Sequence, residues 1–184
     1  MDLMEAVKGR RSVRSYKGEP IPEDKLKKVM EAVQWAPSWA NTQCWEIIVV
    51  RDEQTKRRLV DALSRGNPAG EGILQAPLTL VLLAIKGRAG FFKGKASTDK
   101  GDWYMFDVGL AIQNLCLTAH AVGLGTVIIG AFDAAKVAEV LQVPQEKAVV
   151  AMTPLGFPKE IPQPPKRKEI EEFVHYDAYG RRRG

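Results

Sequence analysis

The apolar run LTLVLLAI at residues 78–85 limits the possible folds of this chain more than any other stretch. It is too short to cross a bilayer. An almost uninterrupted apolar run of this length is typical of a β-strand that is covered on both faces. The run WEIIVV at 45–50 has the same character. The rest of the chain must therefore supply helices for both faces of a sheet.

Helical periodicity and apolar runs alternate along the chain, which predicts an α/β or α+β fold with four or five strands. Asp2 and Gly9 are the expected cap and stop of the first helix, and Gly66 is the expected end of the third. The stretch 86–101, rich in glycine and lysine, is typical of a mobile loop or lid. We predict helices over 2–8, 22–37, 52–65, 102–122 and 133–143, and strands over 45–50, 78–85, 126–129 and 148–157.

Composition favours one globular domain over residues 1–184, since 45% of the residues are hydrophobic and 27% are charged. Cys44 and Cys116 show no disulfide or zinc spacing, and no signal peptide is evident, so we expect a cytoplasmic protein.

The helix over 102–122 is apolar on more than one face, which indicates burial against neighbours or a partner chain. The proline-rich and aromatic segment 158–184 is expected to be an extended arm that docks on the protein or on another subunit.

A cationic cluster near the N-terminus, KGRRSVRSY at 8–16, predicts an anion site. Arginine forks match phosphate oxygens, and a serine hydroxyl adds a donor. The alternative, a solvated basic turn without a ligand, is equally compatible with these residues alone. The formal charge of +5 is otherwise dispersed, so a nucleic-acid partner is not expected.

The segment APSWANTQCW at 36–45 places hydroxyl and amide side chains beside two tryptophans, at the edge of a predicted strand. Such a set can bind a flat heteroaromatic ring, although an ordinary loop with side-chain caps is the simpler interpretation.

GLGT at 123–126 is typical of a helix end that leads into a strand. We interpret His120, His175 and Cys116 as structural residues. No catalytic triad, paired carboxylates or metal cluster is evident, so any chemistry would come from a cofactor.

Taken together and in order, RRSVRSY, PSWANTQCW, DVGLAIQNLCLTAHAVGLGTVIIGAFD and PPKRKEIEEFVHYD resemble the FMN-dependent nitroreductase family over nearly the whole chain. The resemblance implies an α+β three-layer sandwich with a central mixed sheet of four to five strands. It also implies an intertwined homodimer with FMN at the subunit interface. No membrane association is expected, because the longest apolar run is too short to span a bilayer. One departure is Cys44, where family members usually carry proline.

The resemblance also implies a set of cofactor-binding residues. Arg10, Ser12 and Arg167 would hold the FMN phosphate, with Arg11 nearby, and Arg14 would approach the ribityl chain or the pyrimidine edge. The remaining residues would line the ring: from the partner chain Pro37, Ser38, Trp39, Asn41 and Gln43, and at one ring face or edge Ile128, Ile129 and Gly130.

The implied function is an oxidoreductase that takes hydride from NADH or NADPH and reduces nitroaromatic, quinone or similar conjugated acceptors by a ping-pong mechanism. No catalytic side chain and no metal are expected. Alternatives within enzymes remain open, since the same scaffold also supports reductive dehalogenation, enone reduction and flavin breakdown. Outside enzymes, a protein that binds flavin as a carrier or sensor and a basic nucleic-acid binder without flavin remain open. The sequence expresses no preference between NADH and NADPH.

Overall fold

The structure, a computed structural model, describes residues 1–182. Two 3₁₀ turns, Trp39–Asn41 and Ile170–Glu172, accompany the regular elements. The helices are α1 (Leu3–Gly9), α2 (Glu23–Gln34), α3 (Glu53–Val60), α4 (Gly70–Gln75), α5 (Tyr104–Ala121) and α6 (Ala134–Val140). The strands are β1 (Trp45–Val50), β2 (Leu78–Ile85), β3 (Phe91–Phe92), β4 (Lys95–Ala96), β5 (Gly125–Thr126) and β6 (Lys147–Gly156).

The central sheet has four strands in the order β1-β2-β6-β5, and all of these neighbours pair antiparallel. Its parallel contribution within residues 1–182 is a single bridge between Ser12 and Thr126. β2 is the strand of the apolar run, and seven of its eight residues are buried. That burial agrees with the prediction of a strand covered on both faces.

Two hydrophobic cores flank the sheet and make the fold a three-layer structure. On one face, α2 and α5 pack on the β2 residues Leu78, Leu80 and Leu82. On the other face, residues of α3, α4 and α6 pack against Val81 and Leu83 of the same strand. Because alternate residues of a strand point to opposite faces, β2 contributes to both cores.

Several predicted boundaries differ from the structure because tertiary hydrogen bonds override local pattern. The third helix ends at Val60 and not near residue 65, since the main chain of Ala62 and Ser64 pairs with Asp133 and Ala131. The predicted strand 126–129 is reduced to β5, with an isolated bridge from Ile129 to Met152. Helix α4 is missing from the prediction because six residues carry too little periodicity. The stretch 86–101 contains the β3–β4 hairpin.

The C-terminal segment leaves the sheet in an extended conformation. Lys159 donates its main-chain N–H to the Ser15 carbonyl, and Tyr16 bridges Pro158, so the segment begins beside the basic loop. Farther along, Ile170, Phe173 and Tyr179 are largely exposed. Residues 183 and 184 of the predicted arm lie outside the described part of the chain. No helix within residues 1–182 is long and apolar enough to cross a membrane.

Candidate functional site

The basic loop that follows α1 is held against the end of α5 and the edge of the sheet. A Cβ at Gly9 would lie 2.6 Å from His120 Nε2, so a larger residue at this position would have to displace the imidazole. Val13 donates its N–H to the Thr126 carbonyl at 2.9 Å. A Cβ at Gly125 would lie 2.9 Å from the Val13 side chain. Close backbone approach therefore fixes the loop on β5.

Tyr16 anchors the other end of the loop. Its buried hydroxyl donates to the Val13 carbonyl at 2.6 Å, and its N–H donates to Gln75 Oε1 at 2.9 Å. Burial raises the pKa of Tyr16 far above its usual value, so the phenol remains a hydrogen-bond donor at physiological pH. The loop thus has two fixed ends and presents the residues between them.

The presented residues line a cavity of about 280 Å³. Among the residues described, none of its arginines forms an ion pair with a carboxylate. Arg11 donates to the carbonyls of Lys8 and Arg10, but its Nε is buried and has no partner within residues 1–182. The lining consists of Arg10, Arg11, Ser12, Arg14, Pro162, Gln163, Pro165 and Arg167. An uncompensated cationic cavity of this kind favours an anion.

The structure also places His120 at the basic loop, which the sequence analysis interpreted as structural only. A neighbouring cavity of about 230 Å³ is lined in part by Arg10, Arg11 and His120. Burial, together with the charges of Arg11 and Arg10, lowers the pKa of His120. No local signal in the sequence identifies this proximity, because the histidine lies more than 100 residues beyond the loop.

The segment from Ser38 to Gln43 has a compact, unusual backbone. Ala40, Asn41 and Gln43 all have positive φ, at 43°, 55° and 45°. Ser38 stabilises the segment twice, since its carbonyl accepts from Asn41 N–H at 3.1 Å and its Oγ accepts from Gln43 N–H at 3.0 Å. The side chains of Asn41 and Gln43 are exposed and line a cavity of about 380 Å³. Pro37 is also exposed.

The first turn of α5 supports this segment. Trp39 donates its N–H to the buried carboxylate of Asp107 at 3.1 Å from each oxygen. Its ring lies 5.2 Å from the ring of Trp103, which in turn lies 5.4 Å from Phe106. Asp107 is absent from the predicted site, and the only local signal for it is that it is the one acidic residue of α5.

The predicted site residues Ile128, Ile129 and Gly130 differ in their exposure to solvent. Ile128 and Gly130 are exposed, whereas the Ile129 side chain is buried in the second core. The N–H and carbonyl of Ile129 both pair with Met152. Side-chain contact with a ligand at this place is therefore available to Ile128, and main-chain contact to Gly130.

The basic loop and the Ser38–Gln43 segment lie at opposite ends of α5 within one chain. The loop contacts His120, and the segment contacts Asp107. Thirteen helical residues at 1.5 Å rise separate these contacts by about 20 Å. The structure therefore brings together Arg10, Arg11, Ser12, Arg14 and Arg167, but it holds Ser38, Trp39, Asn41 and Gln43 apart from them.

Comparison with known proteins gives one consistent result. Residues 7–157 match the profile described as the nitroreductase family. The chain is 30% identical to the FMN reductase [NAD(P)H] of Bacillus subtilis, with 97% of this chain and 74% of that protein covered.

Two solved structures illustrate the structural similarity. One is a nitroreductase family protein from Clostridium novyi, with a TM-score of 0.79 and 32% identity, covering 99% of this chain and 97% of that one. The other is an FMN-dependent nitroreductase from Clostridium difficile, with a TM-score of 0.80 and 26% identity, covering 96% of this chain and all of that one. These similarities confirm the predicted α+β nitroreductase-like fold.

Proposed function

Because the chain belongs to the nitroreductase family, we propose that it binds FMN, takes hydride from NADH or NADPH and reduces a nitroaromatic, quinone or similar conjugated acceptor. The predicted class, an NAD(P)H-dependent flavin oxidoreductase with FMN, is confirmed by the family match and by the names of its relatives. The acceptor and the alternation of two half-reactions are proposals about this chain.

The observation that supports FMN binding most strongly is the cationic cavity without a carboxylate. The phosphate monoester of FMN carries a charge of about −1.5 to −2 near pH 7 and offers three acceptor oxygens. Arg10, Ser12 and Arg167 can supply charged and neutral donors to these oxygens. The buried Nε of Arg11, which has no partner within residues 1–182, is a further donor at the same place. The residues therefore fit the phosphate.

When bound, FMN would supply the redox chemistry that links oxidation of the nicotinamide to reduction of the acceptor. The chain would then bind and orient the participants. Arg14 has an exposed side chain next to the phosphate cavity, so its charge can stabilise the negative charge that the flavin gains on reduction. We assign no side chain as a proton donor, since solvent can supply protons.

A second copy of the chain would complete the site. Because the two groups of predicted residues lie about 20 Å apart along α5, an antiparallel pairing of two α5 helices would bring the basic loop of one copy towards the Ser38–Gln43 segment of the other. The free face of α5 suits such a pairing, since Met105 and Phe106 are exposed and Gly109 has open space around it. The apolar side chains of the arm provide further contact area.

An anaerobic visible spectrum of the purified protein, before and after addition of NADH or NADPH, tests the redox function. We expect flavin absorption that bleaches with at least one nucleotide and returns on addition of a nitroaromatic or quinone. A protein that contains flavin but does not bleach would support the non-catalytic alternative. Absence of FMN binding would refute the proposal.

Light scattering tests the assembly. The full chain is expected at twice the mass of 20.4 kDa. Phe106→Glu, which places a charge on the free face of α5, is expected at the monomer mass with much weaker FMN binding. A matched control, Phe92→Glu, changes another exposed phenylalanine, located in the β3–β4 hairpin. A monomeric wild-type chain that retains FMN would contradict the shared site.

A further inference from the structure

A buried carboxylate without a cationic partner lies beneath the Ser38–Gln43 segment. Asp107 is 1% exposed, and among the described residues it forms no ion pair. Its hydrogen bonds are accepted from Trp39 N–H and from the Cys44 thiol, whose Sγ lies 3.7 Å from Oδ2. Burying a carboxylate is costly unless hydrogen bonds compensate it. Both donors belong to the segment or its immediate end, so the compensation depends on the segment's conformation.

Asp107 accepts hydrogen bonds from a segment whose backbone conformation is unfavourable by itself. Left-handed φ values at non-glycine residues cost roughly 1 kcal/mol or more each and persist only where surrounding structure imposes them. Three such residues, Ala40, Asn41 and Gln43, occur within four positions. Bonds inside the segment, such as Thr42 N–H to the Trp39 carbonyl at 2.9 Å, set its local shape. They do not attach it to the rest of the protein.

Attachment comes from the first turn of α5. Asp107 accepts from the main chain of Trp39, and Trp103, the residue immediately before α5, contacts the Trp39 ring. Trp103 is itself fixed, since its Nε1 donates to Thr98 Oγ1 at 3.0 Å. The carboxylate is therefore the polar half of a two-part anchor, and it acts on the backbone from which Asn41 and Gln43 project.

Cys44 fits the same arrangement. Burial, and then the charge and hydrogen bond of Asp107, raise the pKa of the Cys44 thiol to about 11, so the thiol stays protonated and can donate. Proline at this position would have no donor and would push Gln43 towards extended angles. Gln43 has a φ of 45° here. Cysteine is thus compatible with the left-handed residue before it and adds a second bond to the carboxylate.

From these contacts we propose that Asp107 is a positioning residue whose carboxylate, through Trp39 N–H and the Cys44 thiol, holds the Ser38–Gln43 segment in the conformation that binds the flavin. The inference rests on the proposed function, because it assumes that Asn41 and Gln43 contact FMN. Asp107 itself lies under the segment and does not touch the ligand in this scheme.

Asp107→Asn is the central variant, because it keeps the shape of the side chain while it removes the charge and one acceptor oxygen. Asp107→Ala removes both acceptors. The matched control is Asp102→Ala, since Asp102 lies just before the same helix and accepts from Gly87 and Tyr104 N–H but has no bond to the segment. Fluorescence quenching measures the affinity for FMN, and visible circular dichroism at saturating FMN reports the environment of the bound flavin. Thermal unfolding of the apoprotein measures its stability.

A hydrogen bond to a charged group corresponds to roughly a tenfold to hundredfold effect on an equilibrium constant. We therefore expect the Kd of FMN to rise about tenfold in Asp107→Asn and further in Asp107→Ala, with an altered flavin dichroism spectrum in both. Asp102→Ala is expected to stay within about twofold of wild type. If Asp107→Ala fails to fold, Asp107→Asn alone carries the test.

Wild-type Kd and wild-type dichroism in Asp107→Asn would overturn the inference, even if the apoprotein melted at a lower temperature, because a purely structural role predicts that pattern. An equal loss of affinity in Asp102→Ala would also overturn it. Failure of the wild-type chain to bind FMN would refute the proposed function itself, and that result is distinguishable from the other two.

Discussion

Removing two arginines from the cationic cavity should strip the cofactor while the chain stays folded. Arg10 and Arg167 lie 157 positions apart in the sequence but line the same cavity. Neither has an ion-pair partner within residues 1–182, so Arg10→Ala/Arg167→Ala leaves no buried group unpaired. Their loss even relieves repulsion between like charges, and the apoprotein is expected to keep its unfolding temperature.

The expected loss of affinity follows from the bonds that disappear. Hydrogen bonds to charged groups contribute about 1.5–3 kcal/mol each, so two arginines correspond to about 3–6 kcal/mol. Because each 1.4 kcal/mol is a factor of ten, the Kd of FMN should rise by roughly two to four orders of magnitude. The wild-type affinity should also fall more steeply with added salt than that of the double variant, since fewer charges remain to be screened.

The assay is the flavin-to-protein absorbance ratio after gel filtration, followed by titration of the apoprotein with FMN. Arg57→Ala/Arg58→Ala is the matched control, because it removes the same two charges from the exposed end of α3. Full flavin retention by the cavity variant would refute the assignment of the phosphate site. An equal loss in the control would show that only the net charge matters.

Three further results are expected. The pKa of Cys44 is raised from about 9 to about 11 in the folded protein, so the stability that the protonated thiol provides, at most about 2.7 kcal/mol, is complete below pH 9 and lost between pH 9 and 11. Urea unfolding of Cys44→Ala should show a smaller decline of stability over that range, and an identical decline would contradict this. In Gly125→Ala the new methyl would meet Val13 at 2.9 Å, so the free energy of unfolding should fall by about 1–3 kcal/mol and FMN binding should weaken. Adding Val13→Ala should restore part of both, and an unchanged melting temperature of Gly125→Ala would count against the close approach. Burial, Arg11 and Arg10 lower the pKa of His120 below 6.5, so apoprotein stability should fall as the pH drops through that lowered pKa. His120→Gln should reduce the pH dependence of the melting temperature between pH 7.5 and 5, and an unchanged pH profile in this variant would refute the role of His120.

The anchor at Asp107 bears on how this scaffold can vary. The β3–β4 stretch contacts Trp103 through Thr98, and Trp103 contacts Trp39. A change in the stretch 86–101 can therefore reach the Ser38–Gln43 segment through one packed aromatic pair, without altering the arginines at the far end of α5.

Much of the layered fold follows from local pattern alone. The runs that form β1 and β2 are so apolar that burial in a sheet is their favoured environment. Asp2, Asp52 and Asp133 cap helices by hydrogen bonds to residues three positions farther along the chain. The clustering of arginines around Ser12 also indicates an anion from the sequence alone, because like charges so close together require compensation. These properties depend on neighbours along the chain.

Tertiary structure determined the features that depend on distant parts of the chain. His120 approaches Gly9 and Asp107 approaches Trp39 because these residues pack at the two ends of α5. Arg167 lies beside Arg10 because the C-terminal segment leaves the sheet next to the basic loop, where Lys159 N–H pairs with the Ser15 carbonyl. The early end of α3 and the shortness of β5 have the same origin, since main-chain hydrogen bonds to other elements replaced those that local periodicity predicts. Local preferences are worth only a few tenths of a kcal/mol per residue, so tertiary contacts that satisfy buried polar groups prevail wherever the two compete.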